Sequence, residues 1–329
     1  MDWQDKQVLV TGAGGFIASH LLERLAAVGA RVRAFVRYNS RGDVGLLRFL
    51  PPGVFSQLEV VFGDLRDAEA IRAAARDADT IFHLGALIAI PYSYVHPREV
   101  VETNVMGTLN VLMAARDLGT RRVIHTSTSE VYGTAQYVPI DEAHPLQGQS
   151  PYSASKIGAD KIAESFYRAF DLPVVTLRPF NAYGPRQSAR AVIPTIITQA
   201  LTRDEVHLGS LMPSRDFTFV SDTVEGFLRV AAAENVVGQE INLGSGDTIA
   251  IGDLAKKIFG LLGKSPKIVG EAQRLRPEKS EVMRLHASNQ KARELLGWQP
   301  KVSLDEGLRR TIDWITAHVD LYRPDQYTV

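Results

Sequence analysis

Short apolar runs alternate with amphipathic stretches between residues 6 and 178. The runs are rich in β-branched residues and predict strands, and the stretches between them have the apolar spacing of helices. Predicted strands lie at 6–11, 31–36, 58–62, 80–83, 122–126 and 174–178, and predicted helices at 16–28, 67–75, 98–118 and 153–170. This alternation predicts an α/β fold, a doubly wound parallel sheet with helices on both faces.

The regularity loosens after Pro179, where turn clusters appear at 181–185 and 211–214. We therefore predict a larger domain over residues 1–180 and a smaller α/β domain over 181–329. The segment near 216–243, with a helix at 222–232, is expected to return to the first domain. Asp222 stands where it is expected to cap that helix.

Composition narrows the chemistry of the 329-residue chain. Lys plus Arg balance Asp plus Glu at 37 each, which disfavours nucleic-acid and anionic-membrane partners. The absence of cysteine excludes thiolate catalysis, and the eight histidines show no metal-ligand spacing, so no metal site is predicted. No apolar run approaches the ~20 residues of a membrane span, and residues 1–6 do not resemble a signal peptide. We expect a soluble, cytoplasmic protein.

A glycine-rich loop joins the first strand to the first helix. Gly12, Gly14 and Gly15 allow a tight turn and let backbone N–H groups approach a pyrophosphate. Ala18 replaces a usual third glycine, which the general fingerprint accepts. The loop predicts a dinucleotide site, with Phe16 and Ile17 at the helix start; the alternative is a tight turn that binds nothing.

The end of the second strand bears on the choice between NAD and NADP. An NAD site usually has an acidic residue there, whereas this chain has Arg37 and Ser40, which suit a 2′-phosphate. Arg37 as a solvated surface side chain remains the alternative. Asp64, after the third strand, is expected either to accept a hydrogen bond from the adenine amine or to cap the helix near Asp67. The cofactor stays NAD(P)+.

Two clusters carry candidate catalytic groups. Tyr152 and Lys156 are four residues apart on a predicted helix, hence on one face, where an ammonium favours a phenolate. Thr128, Ser129 and Glu130 follow the fifth strand, at the sheet edge where open α/β folds bind ligands. In isolation, each has a plain structural reading: a surface Tyr and Lys pair, and an ion-paired Glu130.

Together these motifs resemble the extended short-chain dehydrogenase/reductase superfamily over nearly the whole chain. The matching elements are 11–17, Asp64, 83–86, Asn104, the Tyr152 and Lys156 pair, and 178–186. Segments 86–94, 126–133, 187–195 and 274–282 are most similar to nucleotide-sugar 4,6-dehydratases, particularly those of the legionaminic acid pathway. The resemblance implies a Rossmann domain, a nucleotide-sugar-binding domain and a tightly held, recycled NAD(P)+. It adds Leu65, Leu84, Ala86 and Pro179 as cofactor contacts.

The resemblance also implies roles in the reaction. Tyr152 takes the proton of the sugar 4-OH, Thr128 binds that hydroxyl, and Lys156 lowers the pKa of Tyr152 and holds the nicotinamide ribose. Glu130 removes the C5 proton as the 6-OH leaves. Many glucose-type dehydratases have an Asp where this chain has Ser129, so Glu130 is expected to perform both proton transfers, as in GDP-mannose dehydratases. Those enzymes use NADP, whereas the closer legionaminic relatives are usually taken to be NAD enzymes.

Three alternatives stay open at this stage. UDP-glucuronate decarboxylases share the Ser-Glu pair, 4-epimerases share the fold, and a non-catalytic dinucleotide sensor could use the same scaffold. The sequence does not separate UDP from GDP, one hexose from another, or 4,6- from 5,6-elimination.

Cationic side chains in the second domain suit the substrate diphosphate. The candidates are Arg190, Arg215 and Arg276, with Ser129 and Asn181 as further substrate ligands. The family resemblance also predicts a homodimer in which helices 98–118 and 153–170 of two copies form a four-helix bundle.

Overall fold

A sheet of seven parallel strands forms the centre of the computed structural model, which describes residues 3–322. The strands within these residues are β1 (Gln7–Thr11), β2 (Arg31–Arg37), β3 (Glu59–Gly63), β4 (Thr80–His83), β5 (Arg122–Thr126), β6 (Val174–Pro179), β7 (Asn181–Tyr183), β8 (Glu205–Leu208), β9 (Ser214–Arg215), β10 (Phe217–Phe219), β11 (Glu240–Leu243), β12 (Ile249–Ala250) and β13 (Lys267–Gly270). The order in the central sheet is β3-β2-β1-β4-β5-β6-β11. The order reverses between β1 and β4, which opens a ligand crevice at the carboxyl ends of these strands.

Helices cover the sheet and build the second region. Those in the described part of the chain are α1 (Phe16–Ala27), α2 (Pro52–Phe55), α3 (Ala68–Ala74), α4 (Ile90–Val95), α5 (Pro97–Val101), α6 (Gly107–Asp117), α7 (Pro151–Phe170), α8 (Val192–Thr202), α9 (Val220–Ala232), α10 (Ile251–Leu262), α11 (Gln290–Leu296) and α12 (Leu304–Ala317). The predicted helix 98–118 is a helical path in three parts, because a π-helical turn at Glu102–Met106 joins α5 to α6. None of the helices within residues 3–322 combines the length and apolar content needed to cross a bilayer.

The alternation along each strand distributes apolar side chains between two cores. On β1, Val8 and Val10 join a core with α1 and α9, whereas Leu9 points into a second core with α3, α6 and α7. Helices therefore cover both faces, and the predicted doubly wound parallel sheet is confirmed.

Residues beyond 180 build short sheets and also contribute to the central one. β8 pairs with β13, β7 with β10, and β9 with β12, while β11 adds to the edge of β6 in parallel register. From α9, Phe227 contacts Phe82 of β4 with ring centroids 6.4 Å apart. The domain division at residue 180 stays a prediction.

Asp222 does not cap α9, so that expectation is wrong. The residue before α9 is Phe219, and no side chain caps the helix there. The carboxylate of Asp222 accepts instead from the backbone N–H groups of Lys301 and Val302, at 3.0 and 2.9 Å. It holds the segment that leads into α12 against α9.

Candidate active site

The loop between β1 and α1 is a cradle from which side chains are excluded. Gly12 has φ +67, and a Cβ on it would lie 2.7 Å from the Gly85 backbone; a Cβ on Gly14 would lie 2.9 Å from the Val44 carbonyl. Gly15 begins α1 without a side-chain cap, so the N–H groups of the first turn, at Phe16 and Ile17, have no capping side chain. These features fit a dinucleotide pyrophosphate at the helix N-terminus.

A cavity of about 120 Å³ continues from this loop between β2 and β4. Its lining comprises Gly12, Phe35, Arg37, Gly63, Asp64, Leu65, Gly85, Ala86, Leu87 and Thr103. Five residues that the sequence assigned to the cofactor therefore face one space: Gly12, Arg37, Asp64, Leu65 and Ala86. Leu84 precedes Gly85 at the end of β4, and Pro179 ends β6 as a buried residue. Ser40 is exposed and does not line the cavity.

Asp64 is held by a neighbouring arginine. Arg66 donates to both carboxylate oxygens, at 3.0 and 2.7 Å, and this contact holds the pKa of Asp64 below its ordinary value. Asp67 caps α3 by accepting from the N–H groups of Glu69 and Ala70, so the capping alternative for Asp64 is wrong. Asp64 therefore lies at the cavity wall as a carboxylate and does not cap α3.

Tyr152 and Lys156 lie on the first turns of α7, which a reciprocal capping box of Ser150 and Ser153 fixes. Both side chains are buried. The Lys156 ammonium donates to the Thr126 carbonyl at 2.7 Å, and burial lowers its pKa to about 8. Burial also raises the pKa of Tyr152, although a hydrogen bond with Thr128 opposes this shift. Burial therefore shifts the pKa of Tyr152 in the direction opposite to the one that we expected from Lys156.

A turn of 3₁₀ helix at Ser129–Tyr132 brings the second catalytic cluster to the same place. Thr128 caps this turn, and its hydroxyl accepts from the Glu130 N–H at 3.2 Å while also contacting Tyr152. The negative charge of Glu130 is close enough to contribute to the raised pKa of Tyr152. Ser129 is buried within the turn. The structure thus brings together Thr128, Glu130, Tyr152 and Lys156.

Two of the three predicted arginines converge on this cluster. Arg276 Nη1 lies 3.7 Å from Glu130 Oε2, and Arg215 Nη2 lies 3.3 Å from an oxygen of Glu281. Arg276 Nη1 is also 3.8 Å from that Glu281 oxygen and, within residues 3–322, is buried without a hydrogen-bond partner. The sequence analysis did not single out Glu281, although it lies in the family-like segment 274–282.

The remaining predicted substrate ligands have other contacts. Asn181 Nδ2 donates to the Asp216 carbonyl at 3.1 Å, where β7 pairs with β10. Arg190 is exposed, and its Nε bonds the Ser188 hydroxyl at 3.3 Å. The structure records no contact of Arg190 with Arg215, Arg276 or Glu130 within the described residues, so its substrate role stays a prediction.

Two buried polar residues hold α7 in place: Asn104, which the sequence analysis named only as a match to the family, and Asp160, which it did not name. Asp160, one turn beyond Lys156, accepts from His125, Ser127 and Arg178 at 3.0, 2.8 and 3.2 Å. Asn104, in the π-helical turn, donates to the Leu87 carbonyl and to the Ser155 hydroxyl, both at 2.9 Å. π-Helical turns often occur at functional sites, but this turn is visible only in the backbone of the structure and not in the sequence.

Comparisons with known proteins agree with this geometry. Residues 9–311 match the family described as GDP-mannose 4,6 dehydratase. The chain belongs to this family, within the extended short-chain dehydrogenases/reductases. It is 34% identical to a UDP-glucose 4-epimerase of Mycolicibacterium smegmatis, over 94% of this chain and 98% of that protein.

The solved structures that are similar to this chain include both dehydratases and epimerases. DesIV of Streptomyces venezuelae, a dTDP-glucose 4,6-dehydratase with NAD and TYD bound, has a TM-score of 0.86 at 30% identity, covering 97% of this chain and 100% of that one. A UDP-N-acetylglucosamine 4-epimerase from Methanobrevibacter ruminantium, in complex with UDP-N-acetylmuramic acid, has a TM-score of 0.86 at 28% identity, covering 96% and 99%. The protein is thus an enzyme of the nucleotide-sugar dehydratase and epimerase family with a dinucleotide cofactor. The narrower resemblance to the legionaminic acid pathway stays a prediction.

We expect Lys156 to titrate near pH 8 in the free protein, because burial disfavours its ammonium. The side-chain ¹⁵N resonance, assigned by its loss in Lys156→Met, would give the midpoint. The folded pKa lies below the unfolded value of about 10.4. Stability should therefore rise with pH between these two values, where the unfolded chain binds the extra proton. Lys156→Arg stays charged throughout and serves as control. A midpoint near 10.4 would contradict the expected burial effect.

Proposed function

We propose that the enzyme is a nucleotide-sugar 4,6-dehydratase that acts on UDP- or GDP-N-acetylglucosamine and forms the 4-keto-6-deoxy sugar nucleotide. The observation that supports this reaction is the carboxylate of Glu130, whose charge acts on Tyr152 and whose own backbone N–H donates to Thr128. Elimination of water across C5 and C6 needs a base for the C5 proton, whereas a simple 4-epimerisation does not. The choice of sugar is supported by the Methanobrevibacter structural neighbour, which is a UDP-N-acetylglucosamine enzyme.

The chemistry that bound NAD(P)+ supplies is hydride storage, between loss from C4 and return to C6 of the same sugar. Gly12, Gly14 and Gly15 would hold its pyrophosphate, and Lys156 its nicotinamide ribose. The Tyr152 phenolate takes the proton of the 4-OH, and Thr128, hydrogen-bonded to Tyr152, fixes the direction of that transfer. Burial raises the pKa of Tyr152, so the phenolate needs a positive charge beside it, and in this proposal the Lys156 ammonium supplies that charge.

Glu130 carries the elimination in this proposal. A 4-ketone makes the C5 proton acidic, so a carboxylate can remove it while the C6 hydroxyl departs. Ser129, its neighbour, is a poor acid, and the same Glu130 then passes its proton to the leaving oxygen. One carboxylate thus ends the step in the state in which it began, and one water is released.

The arginines suit the diphosphate of the substrate. Arg215 and Arg276 both contact Glu281 in the free protein, and Arg276 has a buried nitrogen that no side chain among the described residues hydrogen-bonds. Two guanidinium groups at one carboxylate offer more donors than that carboxylate uses. A diphosphate placed here would leave the sugar between the arginines and Tyr152.

A 4-epimerase is the second candidate, because the Mycolicibacterium relative, at 34% identity, carries that name.

Mass spectrometry separates the candidates. The protein would be incubated, without added cofactor, with UDP-N-acetylglucosamine, GDP-N-acetylglucosamine, dTDP-glucose, GDP-mannose, UDP-glucose and UDP-glucuronate in turn. Loss of one water from an N-acetylglucosamine nucleotide is expected. Loss of carbon dioxide from UDP-glucuronate would establish a decarboxylase, and an isomeric product of unchanged mass, seen by NMR, an epimerase. No turnover with cofactor added would favour a sensor.

Replacing Glu130 by Gln should separate oxidation from elimination. The amide keeps the shape of the side chain but cannot take the C5 proton, so dehydration should slow by about 10²- to 10⁴-fold. Absorbance at 340 nm should rise with substrate and persist, because hydride cannot return. Glu142→Gln is a matched control, since Glu142 contacts the Asn242 N–H and lies outside the cluster. Wild-type product release by Glu130→Gln would refute the assigned role.

We also propose a homodimer through α5, α6 and α7. These helices pack side by side and, with the π turn between α5 and α6, expose apolar side chains that include Val101, Met106, Met113 and Phe170. Exposed apolar side chains grouped on neighbouring helices favour an association surface there. A second copy would cover it with the same helices in a two-fold arrangement.

Met113→Glu should weaken this dimer, because the new carboxylate would lie in the apolar interface. Sedimentation equilibrium should show a dimer for the wild type and a larger share of monomer for Met113→Glu. Met212→Glu is the control, because Met212 is also exposed but lies outside the three helices. A wild-type monomer, or equal effects of the two substitutions, would contradict the assigned surface.

A further inference from the structure

An acidic side chain from elsewhere in the chain reaches the end of β2. Glu99 lies on α5, and its Oε1 is 3.3 Å from Arg37 Nη2. Its other oxygen, Oε2, accepts a hydrogen bond of 2.5 Å from the Tyr92 hydroxyl on α4. The carboxylate is therefore held from two sides beside Arg37, the arginine that the sequence analysis proposed for a 2′-phosphate.

The charged side chains near the end of β2 form two pairs of opposite charge. Arg37 pairs with Glu99, and Arg66 pairs with both oxygens of Asp64. The hydrogen bond from Tyr92, and then the positive charges of Arg37 and Arg66, lower the pKa of Glu99. Two guanidinium groups thus face two carboxylates before any ligand binds. We call Arg37, Asp64, Arg66 and Glu99 the ribose rim.

We propose that Glu99 makes the enzyme select NAD over NADP. In open α/β sheets the adenosine ribose lies at the end of the second strand, where an acidic residue accepts from the 2′-OH in NAD enzymes. Glu99 supplies that acid from α5, and β2 itself has none. A 2′-phosphate would meet a carboxylate and an arginine that is already neutralised, and its two negative charges would be repelled. This inference rests on the dinucleotide site of the proposed function.

The test measures nucleotide retention rather than activity. Purified enzyme is equilibrated with equal excess NAD+ and NADP+, passed through a desalting column and denatured, and the released nucleotides are quantified by mass spectrometry. Wild type should retain mainly NAD. Glu99→Gln should shift the NADP to NAD ratio about tenfold or more toward NADP, because Arg37 becomes available as an unpaired cation.

Three further variants sharpen the comparison. Glu102→Gln removes the same charge one turn away, where Glu102 pairs with Arg98 at 2.8 Å, and should leave the ratio near wild type. Arg37→Ala, added to Glu99→Gln, should abolish the gain in NADP. Tyr92→Phe keeps the Glu99 carboxylate but removes the hydrogen bond that holds it. It should shift the NADP to NAD ratio in the same direction by a smaller amount, and it replaces Glu99→Gln as the test if that variant folds poorly.

Several outcomes would overturn the proposal. Preferential retention of NADP by wild type would do so, as would equal shifts for Glu99→Gln and Glu102→Gln. Retention of neither nucleotide by wild type would reject the dinucleotide site itself, and selectivity with it. If Glu99→Gln retains NAD normally and its NADP to NAD ratio equals that of the wild type, the role of Glu99 in selectivity is refuted. The proposed reaction is not affected by that outcome.

Discussion

The active site depends on one buried carboxylate, that of Asp160. It lies one turn beyond Lys156 on α7 and is bonded to His125 of β5 and Arg178 of β6, so a single group ties the catalytic helix to two adjacent strands. Arg178 extends the network through Tyr132 to β11, with hydrogen bonds of 3.0 and 2.8 Å. Loss of one partner would leave an uncompensated buried charge, which costs about 3–5 kcal/mol. The positions of Tyr152 and Lys156 therefore follow from electrostatics deep in the sheet as well as from packing.

Burial also determines the protonation of the two catalytic groups. The pKa of Tyr152 is raised and that of Lys156 falls to about 8, so both shifts favour neutral forms in the free protein. A site of this kind has little water to reorganise when charge develops, and fixed dipoles such as that of the Thr128 hydroxyl act at close range. At neutral pH, desolvation thus keeps Tyr152 a phenol, whereas a Lys156 pKa of about 8 still leaves most of that amine as the ammonium.

The pattern along the chain predicted the six strands before residue 180 to within a residue or two, because a parallel sheet covered on both faces requires apolar runs. It also placed Thr128 and Tyr152 in candidate sites, because both follow local motifs, and their catalytic roles stay predictions. It did not reveal Glu281, Glu99 or Asp160. Each acts through a partner more than fifteen residues away in sequence: Glu281 lies beside Arg215, Glu99 beside Arg37, and Asp160 beside His125. An acidic residue on a helix looks the same in sequence whether it faces water or an arginine, and only the fold distinguishes the two.

The same separation explains why the position of an arginine along the sequence does not show which carboxylates it meets. Arg190 and Arg276 are both polar residues on irregular segments, yet only Arg276 meets carboxylates of the site, Glu130 at 3.7 Å and Glu281 at 3.8 Å. On the proposed roles, the diphosphate and Glu130 share this one guanidinium. A diphosphate that draws Arg276 toward itself also changes the 3.7 Å contact between Arg276 and Glu130. Substrate binding and the position of the proposed C5 base are then coupled through one side chain.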